Sequence, residues 1–227
     1  DYIDQIYVEF GAPEEVKGAG VGDKVEDIKR RAVRAELELV PTPISHMGTG
    51  RCKEVLRHIR DFLLDSGVEI ETLCKVQNVL VEGGRAAGVE TDKGEFAADH
   101  IVLAPGREGS EWLVKQAGKL GLHTGVNPVD LGVRVEVPAP VMEHLTKVVY
   151  ESKFIYYSRS FDDKARTFCM NPFGEVVQEN LEGLVTVNGH SHAYRKTNNT
   201  NFAILVSKTF TEPFKDPISY GRYIAGL

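Results

Sequence analysis

Apolar residues return at three- and four-residue steps in several stretches, and the spacing predicts an amphipathic helix in each. Ile3, Ile6, Tyr7 and Phe10 share one face before Gly11 and Pro13 stop the pattern. Val25, Ile28, Ala32, Ala35 and Leu39 follow, opened by Asp23 and Glu26 in capping-box spacing and ended by Pro41 and Pro43. A further helix is expected from Arg51 to Asp65, with Val55, Leu56, Ile59, Phe62 and Leu63 as its stripe and Thr49 as its N-cap. Shorter helical patterns hold Trp112, Leu113, Gln116 and Ala117, then Val141 to Thr146, and finally Ile218, Tyr220, Tyr223, Ile224 and Leu227.

Between and after these the period changes to two. From Val68 to Gly106 the chain shows a short β-run (Val68, Ile70) and alternating segments over Val76 to Val81 and Ala86 to Val89. Gly83-Gly84 and Asp92-Lys93-Gly94 supply tight turns, so a three-stranded antiparallel meander is expected. Ile101 to Ala104 is apolar at every position, as a strand buried on both faces would be, and it breaks at Pro105-Gly106. From Asn127 the chain turns β-rich. Val133, Val135 and Val137 alternate with Arg134 and Glu136, and strands are expected near Phe154 to Tyr157, Arg166 to Met170, Glu175 to Gln178, Leu184 to Val187 and Phe202 to Val206. Asn171 to Gly174 and Asn188-Gly189 read as turns. The fold class is α+β, with its second part a mostly antiparallel sheet.

Composition narrows the function classes. The 227 residues carry a net charge of −6, with Lys and Arg scattered among acids, so the basic stripe that phosphate backbones require is missing and nucleic acid is not an expected partner. No stretch approaches the roughly 18 apolar residues that span a bilayer, and no secretory signal pattern opens the chain, so a cytoplasmic protein is expected. Cys52, Cys74 and Cys169 form no close pair, which suits reduced thiols and speaks against a zinc site or a flavin disulfide reductase. The glycines of Gly18-Ala19-Gly20-Val21-Gly22-Asp23 miss dinucleotide-fingerprint spacing and read as a loop. Gly-x-Ser-x-Gly, His-Glu-x-x-His and Walker motifs are also missing from the sequence.

Taken in combination, HMGTGRCKEVLRHIRDFLLDSGVEIETLCKVQNVLVEGGRAAGVE, DLGVRVEVP, FCMNPFGEVV and VNGHS resemble the uncharacterised FAD-dependent dehydrogenases (NAD/FAD-dependent oxidoreductases). The resemblance implies FAD as cofactor and a small-molecule substrate. It places the loop holding His46, Gly48 and Thr49 toward the flavin, and that loop also exposes a helix N-terminus able to receive a phosphate or a carbonyl. It maps backbone contacts to the adenine onto Lys75 and Val76, and the strand end that passes FAD onto Ala104, Pro105 and Gly106, with Pro105 where those flavoproteins carry Thr. Arg107 is either a diphosphate partner or a surface arginine.

Residues 1–43 are then a helical segment, 44–115 a partial FAD-binding domain with its meander, and 116–227 the β-rich substrate domain. The chain is expected to be the middle portion of a longer flavoprotein, without its N-terminal dinucleotide motif and closing flavin segment, and hence unable to retain FAD tightly or act alone. Candidates for the chemistry are polar residues that interrupt the apolar pattern of the second part. Arg134 or Arg166 could clamp a carboxylate, His190 could move a proton, Cys169 could offer a thiol, and Asn171 and Asn188 stand beside them. Structural roles for these residues stay open, as do a metal site on His190 and His192 and a non-catalytic binding or regulatory module.

Overall fold

The computed structural model describes residues 2–18, 22–161, 163–181, 183–210, 213 and 215–227. Ala19, Gly20 and Val21, the middle of the glycine-rich loop, lie outside the described residues. The fold is α+β. The chain divides into two compact units, Leu63–Gly125 and the remainder, Asp1–Phe62 with Val126–Leu227. Among the described residues no helix is long and apolar enough to cross a membrane.

The larger unit begins with α1 (Tyr2–Glu9), β1 (Val16–Lys17), α2 (Asp23–Arg34), β2 (Glu38–Val40), β3 (Ile44–Ser45) and the start of α3 (Thr49–Asp65). In α2, Val25, Ile28 and Ala32 are buried, while acids in the first turn and Arg31 and Arg34 in the last complement the helix dipole. The expected capping box does not form. Gly22 holds the N-cap position at φ 119°, open only to glycine, so Asp23 falls inside the first turn. Leu39, expected on this helix, lies on β2 after the chain turns through Glu36 at φ 59°, yet it reaches the same core with Val149. That core joins α2, β2 and the later helix Ala139–Val149 through Leu37, Leu145, Val148 and Phe154.

The smaller unit holds β4 (Val76–Glu82), β5 (Arg85–Thr91), β6 (Gly94–Ala97) and α4 (Ser110–Lys119). The three strands form the expected antiparallel meander, with Gly83 and Gly84 at positive φ in its first turn. Helix α4 is fixed on it by Gln116, which is buried, accepts from Val79 N and donates to Gln77 O at 2.9 Å. The two outer runs differ from expectation. Val68 and Ile70 form no strand and are 45% and 40% exposed. Ile101 to Ala104 is likewise outside any sheet, with Val102 90% exposed. An all-apolar strand needs hydrogen-bonded neighbours and cover on both faces, and the described residues provide neither.

After Val126 come β7 (Val129–Pro138), α5 (Ala139–Val149), β8 (Lys153–Tyr157), β9 (Lys164–Asn171), β10 (Glu175–Leu181), β11 (Leu184–His190), β12 (Asn199–Lys208) and α6 (Pro217–Ala225). A five-stranded antiparallel sheet runs in the order β2-β8-β9-β12-β7, and β10 with β11 makes a separate two-stranded ribbon. The Asn171 to Gly174 turn is present, with Gly174 N donating to Asn171 O at 3.2 Å. Asn188-Gly189 is not a turn. Both residues sit inside β11, opposite Val177 and Val176, and the hairpin reverses beside Gly183 at φ 82°. The glycine at 189 answers a different need, the close approach of side chains from neighbouring strands.

Candidate functional site

Three neighbouring strands bring polar side chains together inside the larger unit. Arg134 stands on β7, Asn201 on the adjacent β12, and Cys169 and Asn171 on β9 across β12. Asn201 is 0% exposed, and its Oδ1 accepts from Arg134 Nε at 3.0 Å, Arg134 Nη2 at 2.6 Å and Asn171 Nδ2 at 3.3 Å. The Cys169 carbonyl accepts from Arg134 Nη2 at 2.8 Å and Asn171 Nδ2 at 3.0 Å, while its Sγ lies 3.7 Å and 3.6 Å from the same two nitrogens.

This arrangement depends on an irregularity in β9. Asn201 pairs with Asn171 and Ala203 with Phe168, so Cys169 and Met170 together oppose Phe202, as in a β-bulge. Cys169 takes φ 48°, unusual for a residue with a Cβ, and its N–H donates to the Glu151 carboxylate at 2.9 Å. The bulge turns the Cys169 carbonyl toward the guanidinium. Arg134 is thereby held by its Nε–Nη2 edge, and its Nη1 makes no hydrogen bond among the described residues. Asn201 Nδ2 is buried without a partner among them.

Gly189 lies over this cluster. A Cβ built there would fall 1.7 Å from Arg134 Nη2, 2.2 Å from Asn201 Oδ1 and 2.4 Å from Asn171 Nδ2, so three side chains converge on the space a larger residue would fill. The ribbon is also tied down by Val176 N, which donates to Glu136 on β7 at 2.7 Å.

The other residues singled out in the sequence divide among separate places. Arg166 pairs with Asp130 at 2.6 Å and lies over the Phe168 ring, apart from the hydrogen bonds of Arg134. A hydrogen bond from Ser207, aided by Arg166, holds the Asp130 carboxyl below its usual range. His190 ends β11, half-buried opposite Glu175. Glu175 is held below the usual carboxylate range mainly by its hydrogen bond with His192 at 2.6 Å, with Arg195 also at 3.0 Å. Asn188 donates to Glu179 at 2.8 Å. Among the described residues no group of His, Cys, Asp and Glu has the arrangement of a metal site.

The residues assigned to FAD by resemblance fall in both units. In the larger one, His46 Nε2 meets Ser191 Oγ at 2.8 Å, Thr49 N donates to Ser191 O at 3.0 Å, and the His46 ring lies 5.1 Å from that of Tyr150. Gly48, at φ 75°, is approached so closely by Ala193 that an added Cβ would lie 3.0 Å from its nitrogen. In the smaller unit both backbone groups of Lys75 are taken by Asp92, at 2.9 and 3.1 Å, and Val76 pairs with Thr91. Ala104 and Arg107 are exposed, and Gly106 turns at φ 66°. These residues fit FAD in part. Ala104 to Gly106 is open chain at the end of an unpaired apolar run, whereas the groups at Lys75 and the space at Gly48 are already used within the protein.

The His46 contact carries a pH signature. Burial, and secondarily the Lys17 ammonium, hold the imidazole below its ordinary pKa of 6.5. A folded-state pKa below the unfolded value gives stability that is complete above pH 6.5 and declines as the pH falls through the folded value. Urea unfolding of the wild type should therefore weaken from pH 7.5 to pH 5 by more than that of His46→Gln. Equal declines would remove His46 from the cause.

Sequence reasoning missed Asn201 and Glu151 and misread Gly189. Asn201 sits in the polar run TNNTN, which has no local signal of burial, and Glu151 follows a helix end at Tyr150. Gly189 did signal a backbone need, though close approach and not reversal was its cause.

No family model matches the sequence. Among curated proteins the chain is similar to an uncharacterized protein of Clostridium beijerinckii, 25% identical over 184 residues, covering 75% of this chain and 34% of that protein. It is also similar to D-amino acid dehydrogenases of two Cereibacter sphaeroides strains, each 36% identical over 90 residues, covering 40% of this chain and 20% of theirs. The chain thus spans about a third or less of the length of the curated relatives it matches, and its likeness to dehydrogenases covers 40% of its own length.

Proposed function

We propose that the chain forms part of an FAD-dependent oxidoreductase whose substrate is a small carboxylate, an amino acid in the first instance, anchored by Arg134. The observation that carries this reading is the guanidinium fixed by one edge on Asn201 and Cys169 with Nη1 unspent, the pre-organisation that suits an arginine to a carboxylate. The partial likeness to D-amino acid dehydrogenases supports the redox class and the substrate type. Bound FAD would supply the two-electron acceptor, and the sequence resemblance assigns contact with it to Ala104, Pro105 and Gly106. Arg134 would hold and orient the substrate, and half-burial of the cluster would strengthen that grip by limiting competing water.

The test is the visible spectrum of the intact gene product after incubation with FAD and desalting, followed by anaerobic addition of D-alanine. A retained flavin band that D-alanine bleaches is the expected result, and Arg134→Ala should slow bleaching by about a hundredfold or more, as loss of a charged anchor does. A protein that retains no flavin would overturn the reading in favour of a binding module.

A further inference from the structure

The cluster around Arg134 is joined to a second unusual piece of backbone. Helix α5 ends at Tyr150, which takes φ 43° and ψ −74°, and the next residue, Glu151, reaches Cys169 N at 2.9 Å. Cys169 is itself at φ 48°. One hydrogen bond therefore connects Cys169 with the residue that follows Tyr150, so the two positions of positive φ are one residue apart from a direct link, and such outliers persist only where surrounding contacts over-determine them. The same residue carries that bond toward function, through the two peptide units that flank its Cα. Its N–H is fixed by Glu151, and its carbonyl receives Arg134 Nη2 and Asn171 Nδ2.

We propose that Glu151 is a positioning residue: by holding Cys169 in its left-handed turn it aims the Cys169 carbonyl at Arg134 and so presents the guanidinium to a carboxylate ligand. The inference rests on the anchoring role of Arg134 proposed above. Position and charge make opposite predictions for this residue. If Glu151 acted only through its negative charge, removing it would leave the arginine a stronger anion site, and a carboxylate would bind more tightly. If it acts by position, removing it frees the turn, the carbonyl moves off Nη2, and binding weakens.

The experiment uses the intact gene product and benzoate, a carboxylate that a flavin cannot oxidise, with affinity measured by calorimetry. Glu151→Ala should raise Kd by about tenfold or more, and Glu151→Gln, which keeps the acceptor oxygen and drops the charge, should stay within about twofold. Glu151→Ala with Cys169→Gly should recover most of the affinity, because glycine adopts a left-handed turn unaided. If Glu151→Ala fails to fold, that double variant carries the comparison, and its continued failure to fold or bind would overturn the proposal.

A ligand-free reading accompanies it. Alkylation of Cys169 by iodoacetamide, resolved from Cys52 and Cys74 by mass spectrometry, should change rate about fivefold or more in Glu151→Ala and little in Glu151→Gln, since Sγ leaves its place beside Arg134 and Asn171. Unchanged alkylation, or tighter benzoate binding in Glu151→Ala, overturns the role of Glu151. Arg134→Ala separates the two readings. Loss of benzoate there with normal binding in Glu151→Ala leaves the anchor standing and removes the positioning residue, whereas a wild type that does not bind benzoate removes both.

Discussion

Asn201→Leu is expected to lower unfolding stability by about 3 kcal/mol and Asn201→Asp by less than about 1 kcal/mol at pH 7. Leucine has the branched outline of asparagine, with the same number of heavy atoms and a larger volume, but it has no acceptor. Asn201 is fully buried, and its Oδ1 receives three donors, two of them from a cation. Removing that oxygen leaves Arg134 and Asn171 to lose partners in a place where water can replace them only in part. Aspartate keeps the oxygen, makes its bonds to the guanidinium charge-assisted, and removes Nδ2, the donor left without a partner. The same substitution should cost function. With a carboxylate of the protein spent on Arg134, benzoate affinity should fall about tenfold or more although the fold is kept. Urea titrations of both variants give the first comparison and calorimetry the second. Equal destabilisation by leucine and aspartate would mean that Asn201 matters by shape, not by its acceptor.

That network was legible in the sequence only in outline. Arg134, Cys169 and Asn171 interrupt apolar alternation on strands, and such interruptions are visible wherever the period is two. Their meeting depends on the pairing of β12 with both β7 and β9, which brings Asn201 to a residue 67 positions away and has no local trace. For the same reason Arg166, alike in type and strand position, could not be separated from Arg134 before its partner Asp130 was known. The helices and the meander were readable because their patterns are local and repeated over several turns or strands. Ile101 to Ala104 shows the limit of that logic. Its composition asks for burial, but burial is supplied by neighbours, and the described residues around it supply none. At Gly189 the signal was present and its cause ambiguous, since glycine serves both tight turns and close approach.

Close approach makes Gly189→Ala the second large effect, an expected loss of about 2 to 3 kcal/mol. The position is not left-handed, so backbone strain is not the source; the added methyl would occupy space held by Arg134, Asn201 and Asn171. The tip of an isolated arginine could swing aside at little cost. Here it cannot move without giving up its bonds to Asn201 Oδ1 and the Cys169 carbonyl, so the clash becomes a loss of the network. Gly84→Ala provides the contrast. That residue has φ 78° with nothing within 4 Å of its built Cβ, and it should cost about 1 kcal/mol through the backbone alone. The decisive comparison is a double-mutant cycle. In an Arg134→Ala background the nearest obstacle is gone, so Gly189→Ala should cost at least about 1 kcal/mol less than in the wild type, whereas Gly84→Ala should cost the same in both. A Gly189→Ala penalty that is unchanged without Arg134 would place the conflict elsewhere in the ribbon and break the link between β11 and the proposed anchor.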